Sequence, residues 1–564
     1  MNFFISSISL LDKNKKIKLF FVFIILFLNF FFELLGISIL IPLFNLIFNN
    51  NDILNYEFLS FLKKYNFFSQ KSNSFYVFII IFFFLFKVFW SLFFFNYISK
   101  FTKDINIEIG KKYFQGIIEM PYNYFSSFNS AKLIKNTVAD INYFSITLYN
   151  FIVLFNEVLI FLGFVIVLLI YDKLITTYCI IFFLFFFIFQ NFFSKKIISQ
   201  LGETRNVYLE KQIKTVNEFF GNIIQVKLRI LDLFYNHSYN QINRTISKAN
   251  QKIQFINNLP KIFLEFCFIF NFFIIYYLLD NNIIKFNTNV LSTIALYFAF
   301  FLKIIPSANR ISSALQSIAH MLPIIDAFVK KMRLFSSKNK IISKKYSKTI
   351  FFTKSITYFI KKYRYKKNNN FIINRNIKIF KNKINLMYGK SGSGKTTFLN
   401  ILSGLLKLKN SHCSIDNNIK KMKTDILENQ IFYLPQNINL TDGSIQENIT
   451  VGFKYSYNDK KRLYQILKMV NLKAFVNSLP KKINNNIGER GAKISGGQIQ
   501  RIAIARALYS EKPILIFDEF TNALDVNNEI LILKIIKKLK KTKTIILSSH
   551  SKNVKNVSDI VYYF

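Results

Sequence analysis

The segment GKSGSGKTT, Gly389 to Thr397, follows the spacing G-x-x-x-x-G-K-[ST]. Glycines there let the backbone close around phosphate oxygens, and a helix N-terminus adds free N–H groups and a positive dipole. Lys395 then reaches the β and γ phosphates, and Thr396 can ligate Mg²⁺. Gly389, Lys390, Ser391, Gly392, Ser393, Gly394, Lys395, Thr396 and Thr397 are therefore the candidate residues for a nucleotide. Downstream, ILIFDE ends an apolar run in Asp518 and Glu519. A strand-end aspartate suits a Mg²⁺-bound water, and the next carboxylate is placed to polarise an attacking water. Paired acids also occur in solvated turns, but four apolar residues precede these and a phosphate loop lies in the same domain. Between the two elements, KISGGQIQRIAIARAL opens an amphipathic helix with Ser495, Gly496, Gly497 and Gln498. It is a second anion-receptive helix start. One domain needs one phosphate cradle, so the second is expected to cap the nucleotide of another copy, with two ATP molecules in a homodimer interface.

The elements that must hold these residues follow from the runs around them. KINLMYG precedes KTTFLNILSGLL and PILIFDE precedes EILILKIIKKLK, a strand-helix alternation that predicts an α/β domain with a largely parallel sheet over 351–564. A Lys/Ser-rich stretch, 331–350, reads as a linker. Before it, 1–330 is dominated by apolar runs near 19–48, 75–99, 144–171, 174–193, 262–279 and 290–312, each about the 20 residues that cross a bilayer. The fold class is thus a six-span helical membrane domain followed by an α/β P-loop ATPase domain. Long basic segments at 100–143 and 194–261 and the lysines at 13, 15, 16 and 18 put both termini on the cytoplasmic side. The first apolar run lacks a small-residue cleavage site and reads as a retained span. The helical spacing of VNEFFGNIIQVKLRILDLF, 216–234, predicts that helices two to five continue beyond the membrane.

Composition agrees. The 564 residues are 52% hydrophobic, with mean hydropathy +0.27, too apolar for an ordinary soluble protein. A formal charge of +45 is also what nucleic-acid binders carry, but the apolar half argues against that partner, and basic loops are what cytoplasmic faces of membrane proteins carry. The abundance of Phe, Ile, Asn and Lys also fits an AT-rich coding bias. Cys179, Cys267 and Cys413 show neither a disulfide framework nor metal-ligand spacing.

Charges inside apolar spans are costly, so they usually face a cavity or a partner. Glu33, Lys87, Glu157, Glu265 and Lys303 are such residues, with Lys261 and Arg310 nearer the cytoplasmic ends. Glu33 and Lys87 can lie at similar depth, so a structural pair is one reading. Lys303 and Arg310 are two turns apart near one helix face, with Pro306 between them and no acid nearby in that span. An anion from elsewhere must neutralise them. Cations so placed suit a phosphate-bearing lipid or another anionic amphiphile, and the candidate substrate residues are Lys87, Lys261, Lys303 and Arg310. The segment 49–73 reads either as an amphipathic helix on the outer membrane surface or as a loop packed on the spans.

The ordered set GKSGSGKTT, YLPQN, ISGGQ, ILIFDEF, NALD and SSH resembles the nucleotide-binding domain of ABC transporters, and six spans with long cytoplasmic helices resemble the ABC exporter arrangement. The resemblance covers essentially the whole chain. It implies ATP and Mg²⁺ as cofactors, with Glu519 as catalytic base, His550 as switch histidine and Lys395 on the phosphates. It also implies Gln436 as sensor of Mg²⁺ and the γ-phosphate, Ser495, Gly496 and Gly497 on the partner's ATP, and Asp525 in the dimer-spanning loop. Tyr365, favoured over Tyr363, is expected to stack on adenine, and coupling helices are expected around 121–129 and 216–232. Ile494, Asn522 and Ser549 depart from the usual Leu, Ser and Ala without removing a catalytic atom. The chain stops soon after His550, where many relatives carry an extension.

LPKIFLEFCF, 259–268, and KIIPSANRI, 303–311, together with Glu33, resemble the PglK-type flippases of bacterial N-linked protein glycosylation. That resemblance implies a polyprenyl-pyrophosphate-linked oligosaccharide as substrate, moved from the cytoplasmic to the periplasmic leaflet of the bacterial inner membrane. The rival expectations are an exporter of lipid A, a peptide or a drug, and an ATP-gated membrane regulator.

Overall fold

The computed structural model describes residues 9–39, 73–126, 129–171, 173–280, 290–342, 352–360, 375–406, 412–416, 424–452, 459–521 and 525–564. The chain divides into two units, residues 1–120 with 128–342, and residues 121–127 with 343–564. The segment 49–72, Tyr363, Tyr365 and Asn522 fall outside the described residues.

The first unit is helical because a backbone in hydrocarbon has no water to bond and must satisfy its own polar groups. Its long helices are Lys13–Ser38, Asn73–Ile118, Ile141–Tyr171, Lys173–Gly221, Asp232–Asp280 and Val290–Ile342. Five of the described helices are long and apolar enough to cross a membrane, and the sixth expected span, 290–312, begins the helix Val290–Ile342. At about 1.5 Å per residue the 49-residue helix Lys173–Gly221 is roughly 70 Å long, over twice the ~30 Å hydrocarbon thickness. This helix, like Asn73–Ile118 and Asp232–Asp280, therefore passes well beyond a bilayer. The last helix does so as well: it runs to Ile342, so residues 331–342, expected to belong to the linker, are helical. The third span is entered through the helix Ser130–Lys135 and a π-turn, Asn136–Asp140. Short helices, Tyr122–Ser126 and Ile223–Lys227, stand where coupling elements were expected.

Side chains divide by face. Phe20, Phe27, Phe82, Phe89, Ile170 and Phe192 point outward, an apolar surface suited to lipid. Phe94, Ile105, Tyr113, Phe144, Ile325 and Phe328 interlock as one core, and Ile160, Phe164, Phe183, Leu264, Phe300 and Ile304 as a second. Tyr113 stacks on Phe328 with ring centroids 5.0 Å apart.

The second unit holds two sheets. A parallel five-stranded sheet has the order β5 (Ile431–Leu434), β6 (Ile514–Asp518), β7 (Thr544–Ser549), β3 (Ile384–Tyr388), β8 (Ile560–Tyr563). β6 is buried along its whole length, as the apolar run ILIF requires of a central parallel strand. An antiparallel sheet pairs β1 (Ser355–Ile360) with β2 (Arg375–Phe380) on one side and β4 (His412–Ile415) on the other. The sequence reading anticipated the parallel sheet but not this antiparallel one, in which β1 is the central strand between β2 and β4.

Candidate functional site

Parallel register gathers the ATPase residues. β3 lies beside β7 with Tyr388 opposite Ser549, and β6 beside β7 with Asp518 opposite Ser548. The C-terminal ends of these strands therefore deliver the phosphate loop after Tyr388, the acid pair 518–519 and His550 to one edge. Ligand sites of open α/β sheets form there.

The loop turns into the helix Lys395–Leu402 at Gly394, whose φ of 94° is a conformation that favours glycine. Gly389 is fixed by space: a Cβ would stand 2.6 Å from the Phe564 carbonyl oxygen. Lys395 is 3% exposed, and its Nζ donates to the carbonyls of Gly389 and Lys390, both at 2.8 Å, with Glu519 Oε1 at 3.4 Å. The cation rests on its own loop, within reach of the position where phosphate would lie.

Thr396 Oγ1 donates to Asp518 Oδ1 at 3.3 Å, and the Tyr433 hydroxyl to Oδ2 at 2.9 Å. Ser548 Oγ donates to Asp518 Oδ1 and accepts the Glu519 backbone N–H at 3.0 Å. One hydroxyl thus fixes both acids. Glu519 takes a left-handed φ of 42°, which costs on the order of 1–3 kcal/mol for a non-glycine residue and is typical of strain held at a working site. Gln436 Nε2 donates to Glu519 Oε2 at 3.0 Å. His550 is exposed at the end of β7.

The arrangement fits a Mg²⁺-nucleotide. Ser393 Oγ is buried without a hydrogen-bond partner, and Gly392 has open space around it, so a loop donor and room for phosphate are both present. Thr396 and Asp518 would hold the metal, with Gln436 nearby on Glu519. Lys390, Ser391 and Thr397 lie in the same loop and first turn.

Ser495 caps the helix Gly496–Tyr509 in a reciprocal box with Gln498: Ser495 N donates to Gln498 Oε1 at 2.9 Å, and Gln498 N to Ser495 Oγ at 3.3 Å. Gly497 packs on the Asn528 side chain, which in turn donates to Asp525 Oδ1 at 2.5 Å. The signature turn and Asp525 are therefore neighbours.

The membrane unit rearranges the proposed basic surface. Lys87 Nζ lies 2.6 Å from Glu33 Oε2, so the structural pair is present. Arg310, with no acid nearby in its own span and an anion expected from elsewhere, has Glu157 of the third span 2.8 Å from its Nε. Ser307 Oγ donates to the other Glu157 oxygen at 2.8 Å, and Asn156 and Asn29 continue the chain of polar contacts. The acid that the single helix could not supply comes from its neighbour. Lys303 and Arg310 line one cavity of about 260 Å³ together with Glu33 and Glu157; Lys87 reaches it through Glu33. Lys261 is not among the lining residues and faces Glu265, one turn on, at 4.0 Å. Sequence analysis flagged Glu157 only as an intramembrane charge; its pairing with Arg310, and the roles of Ser548 and Tyr433, carried no local signal.

Two family descriptions match: "ABC transporter" over residues 373–522 and "ABC transporter transmembrane region" over 19–305. The chain is 38% identical over 187 residues to an "ATP-dependent lipid A-core flippase" of Wigglesworthia glossinidia brevipalpis, covering 33% of this chain and 32% of that one. It is 34% identical over 183 residues to a "Multidrug resistance ABC transporter ATP-binding and permease protein" of Lactococcus lactis subsp. lactis, covering 32% and 31%. The match thus spans about a third of the length of these relatives. A solved structure described as a bacterial Atm1-family ABC exporter with ATP bound superposes with a TM-score of 0.76 at 16% identity, covering 98% of this chain and 94% of that one, a likeness of fold.

Proposed function

This chain belongs to the ABC exporter family, and from that premise we propose that it hydrolyses ATP to move an anionic amphiphile across the bacterial inner membrane. Within that reading the cargo is a polyprenyl-pyrophosphate-linked oligosaccharide, carried from the cytoplasmic to the periplasmic leaflet for protein N-glycosylation. The observation that carries the cargo assignment is the cavity holding Lys303 and Arg310 within the membrane unit. Cations there are costly unless they face a partner or a cavity; Arg310 has Glu157, and Lys303 on the same cavity has no acid partner among the described residues, which supports an anionic visitor. A cavity of about 260 Å³ lies below the ~300–1,000 Å³ of sites that enclose a whole drug-sized ligand, so it suits a headgroup whose tail stays in lipid.

In the ATPase unit, Lys395 would turn from its loop carbonyls to the β and γ phosphates. Glu519, steadied by Gln436 and by the Ser548 hydroxyl, would polarise the attacking water, and His550 would contact the γ-phosphate. Mg²⁺, when bound at Thr396 and Asp518, neutralises charge on the transferred group. Tyr365 would stack on adenine. The opened turn at Ser495 and Gly496, with nothing within 4 Å of a Cβ on Gly496, would meet the ATP of a second copy in a homodimer.

A second reading, export of lipid A, is favoured by the lipid A-core flippase relatives and by the same cations, since lipid A also carries phosphate. Leaflet-resolved transport in proteoliposomes decides between them. ATP-dependent flipping of the oligosaccharide lipid but not of lipid A supports the first reading, and the reverse supports the second. Glu519→Gln should stop both turnover and flipping while ATP still binds, and Lys303→Gln should slow flipping at least about tenfold. Full turnover in Glu519→Gln would remove the ATPase assignment, and nucleotide-dependent conductance without flipping would favour a gated regulator.

A further inference from the structure

The cavity of the membrane unit is lined by two cations, Lys303 and Arg310, and two carboxylates, Glu33 and Glu157; Lys87, outside the lining, pairs with Glu33, so the group of five carries one positive charge in excess. The partners at Arg310 are unequal. The Glu157 side chain is 4% exposed and tethered by Ser307 Oγ at 2.8 Å and Asn156 Nδ2 at 3.4 Å, whereas the Arg310 side chain is 50% exposed. The carboxylate is the fixed member and the guanidinium the one free to turn. Glu157 Oε1, 2.8 Å from Arg310 Nε, occupies the place that a phosphate oxygen would take on that donor.

We propose that Glu157 is the resident occupant of an anion site, displaced from Arg310 when the phosphate group of the cargo arrives. The proposal rests on the anionic-cargo reading and deepens it. Among the described residues Lys303 has no acid partner and offers the first contact; Arg310 then exchanges Glu157 for phosphate. Glu157 keeps Ser307 and Asn156 as donors after the exchange, and the loss of its counter-ion is what favours return to Arg310. When the Glu157–Arg310 pair re-forms, it expels the headgroup. A transport site must bind weakly enough to let its cargo leave, and an internal competitor meets that need without loss of the cations.

The test uses the full chain in phosphatidylcholine vesicles without nucleotide. The single tryptophan, Trp90, adjoins the cavity-lining Ser91 and serves as fluorescent reporter. Inorganic pyrophosphate is titrated in one arm and polyprenyl pyrophosphate in the vesicles in the other. If Glu157 holds Arg310 about nine-tenths of the time, Glu157→Gln should tighten the apparent Kd about tenfold. Glu157→Asp, which keeps the charge on a shorter arm, should tighten it less, and it decides the matter if the glutamine variant does not fold. Tightening in both arms means the phosphate group alone is recognised; tightening only with the lipid means the headgroup is recognised on its chain; either supports the proposal. Unchanged or weaker binding in both variants, while the wild type binds, overturns it and leaves the anionic-cargo reading standing. Absence of binding in wild type and variants alike overturns both.

Discussion

Removing the two members of the Glu157–Arg310 pair should have unequal effects. Arg310→Gln leaves a carboxylate 4% exposed with only Ser307 and Asn156 as donors, in surroundings of low dielectric. Losing one partner of a fully buried pair costs roughly 3–5 kcal/mol. Arg310 is half exposed and Ser307 continues to donate, so about 2 kcal/mol is the reasoned figure here. Glu157→Gln leaves a half-exposed guanidinium, and the glutamine oxygen still accepts from Ser307, so under about 1 kcal/mol should be lost. At about 2.1 cal/mol/K of unfolding entropy per residue, a unit of roughly 335 residues shifts by about 1.4 °C per kcal/mol, so Arg310→Gln should lower the melting midpoint by about 3 °C and Glu157→Gln by less than about 1.5 °C. The double variant should recover most of the larger loss, because the orphaned charge is gone. The assay is thermal unfolding in detergent followed by Trp90 emission, which reports on the membrane unit. A loss in Glu157→Gln equal to or greater than that in Arg310→Gln would refute the assignment of Glu157 as the buried, fixed partner.

Two further outcomes are expected. Ser548→Ala removes the hydroxyl that bridges Asp518 and the Glu519 backbone, so kcat for ATP should fall about tenfold or more and half-saturation by Mg²⁺ should shift upward, with Ser548→Thr restoring both; an unchanged Mg²⁺ requirement counts against a positioning role. His320, 8% exposed, has its pKa lowered from 6.5 to about 4, first by burial and then by the Arg205 charge. Its folded-state value lies below the unfolded one, so the unfolded chain binds the extra proton. Stability from this group is full above about pH 6.5 and is lost as pH falls toward 4, by at most roughly 3 kcal/mol. His320→Gln should flatten the melting profile between those limits, and an unaltered slope would show that other groups set it.

The ATPase unit was legible in the sequence because its chemistry is local. A phosphate loop needs glycines and a lysine within a few residues, and ILIFDE announces a buried strand ending in acids whatever surrounds it. The expected spans were equally legible, since about 20 apolar residues in a row have few alternatives to a helix in lipid. Even the linker error was local: Lys and Ser at 331–342 look like connecting chain, yet a helix already running from Val290 propagates through them at little cost per residue.

Tertiary structure decided what depends on contact between distant segments. Glu33 and Lys87 could be paired by depth from the sequence. Glu157 and Arg310 could not, because nothing in either helix says which face meets which. The same holds for Ser548, which matters only because β7 lies beside β6 in a register that sets its hydroxyl against Asp518. The sequence determined that this protein carries a phosphate-binding engine and charges inside its membrane helices. Only packing decided that those charges neutralise one another around a cavity, because the energy of a charge in low dielectric is set by its nearest counter-ion, and side chains far apart in the chain supply it.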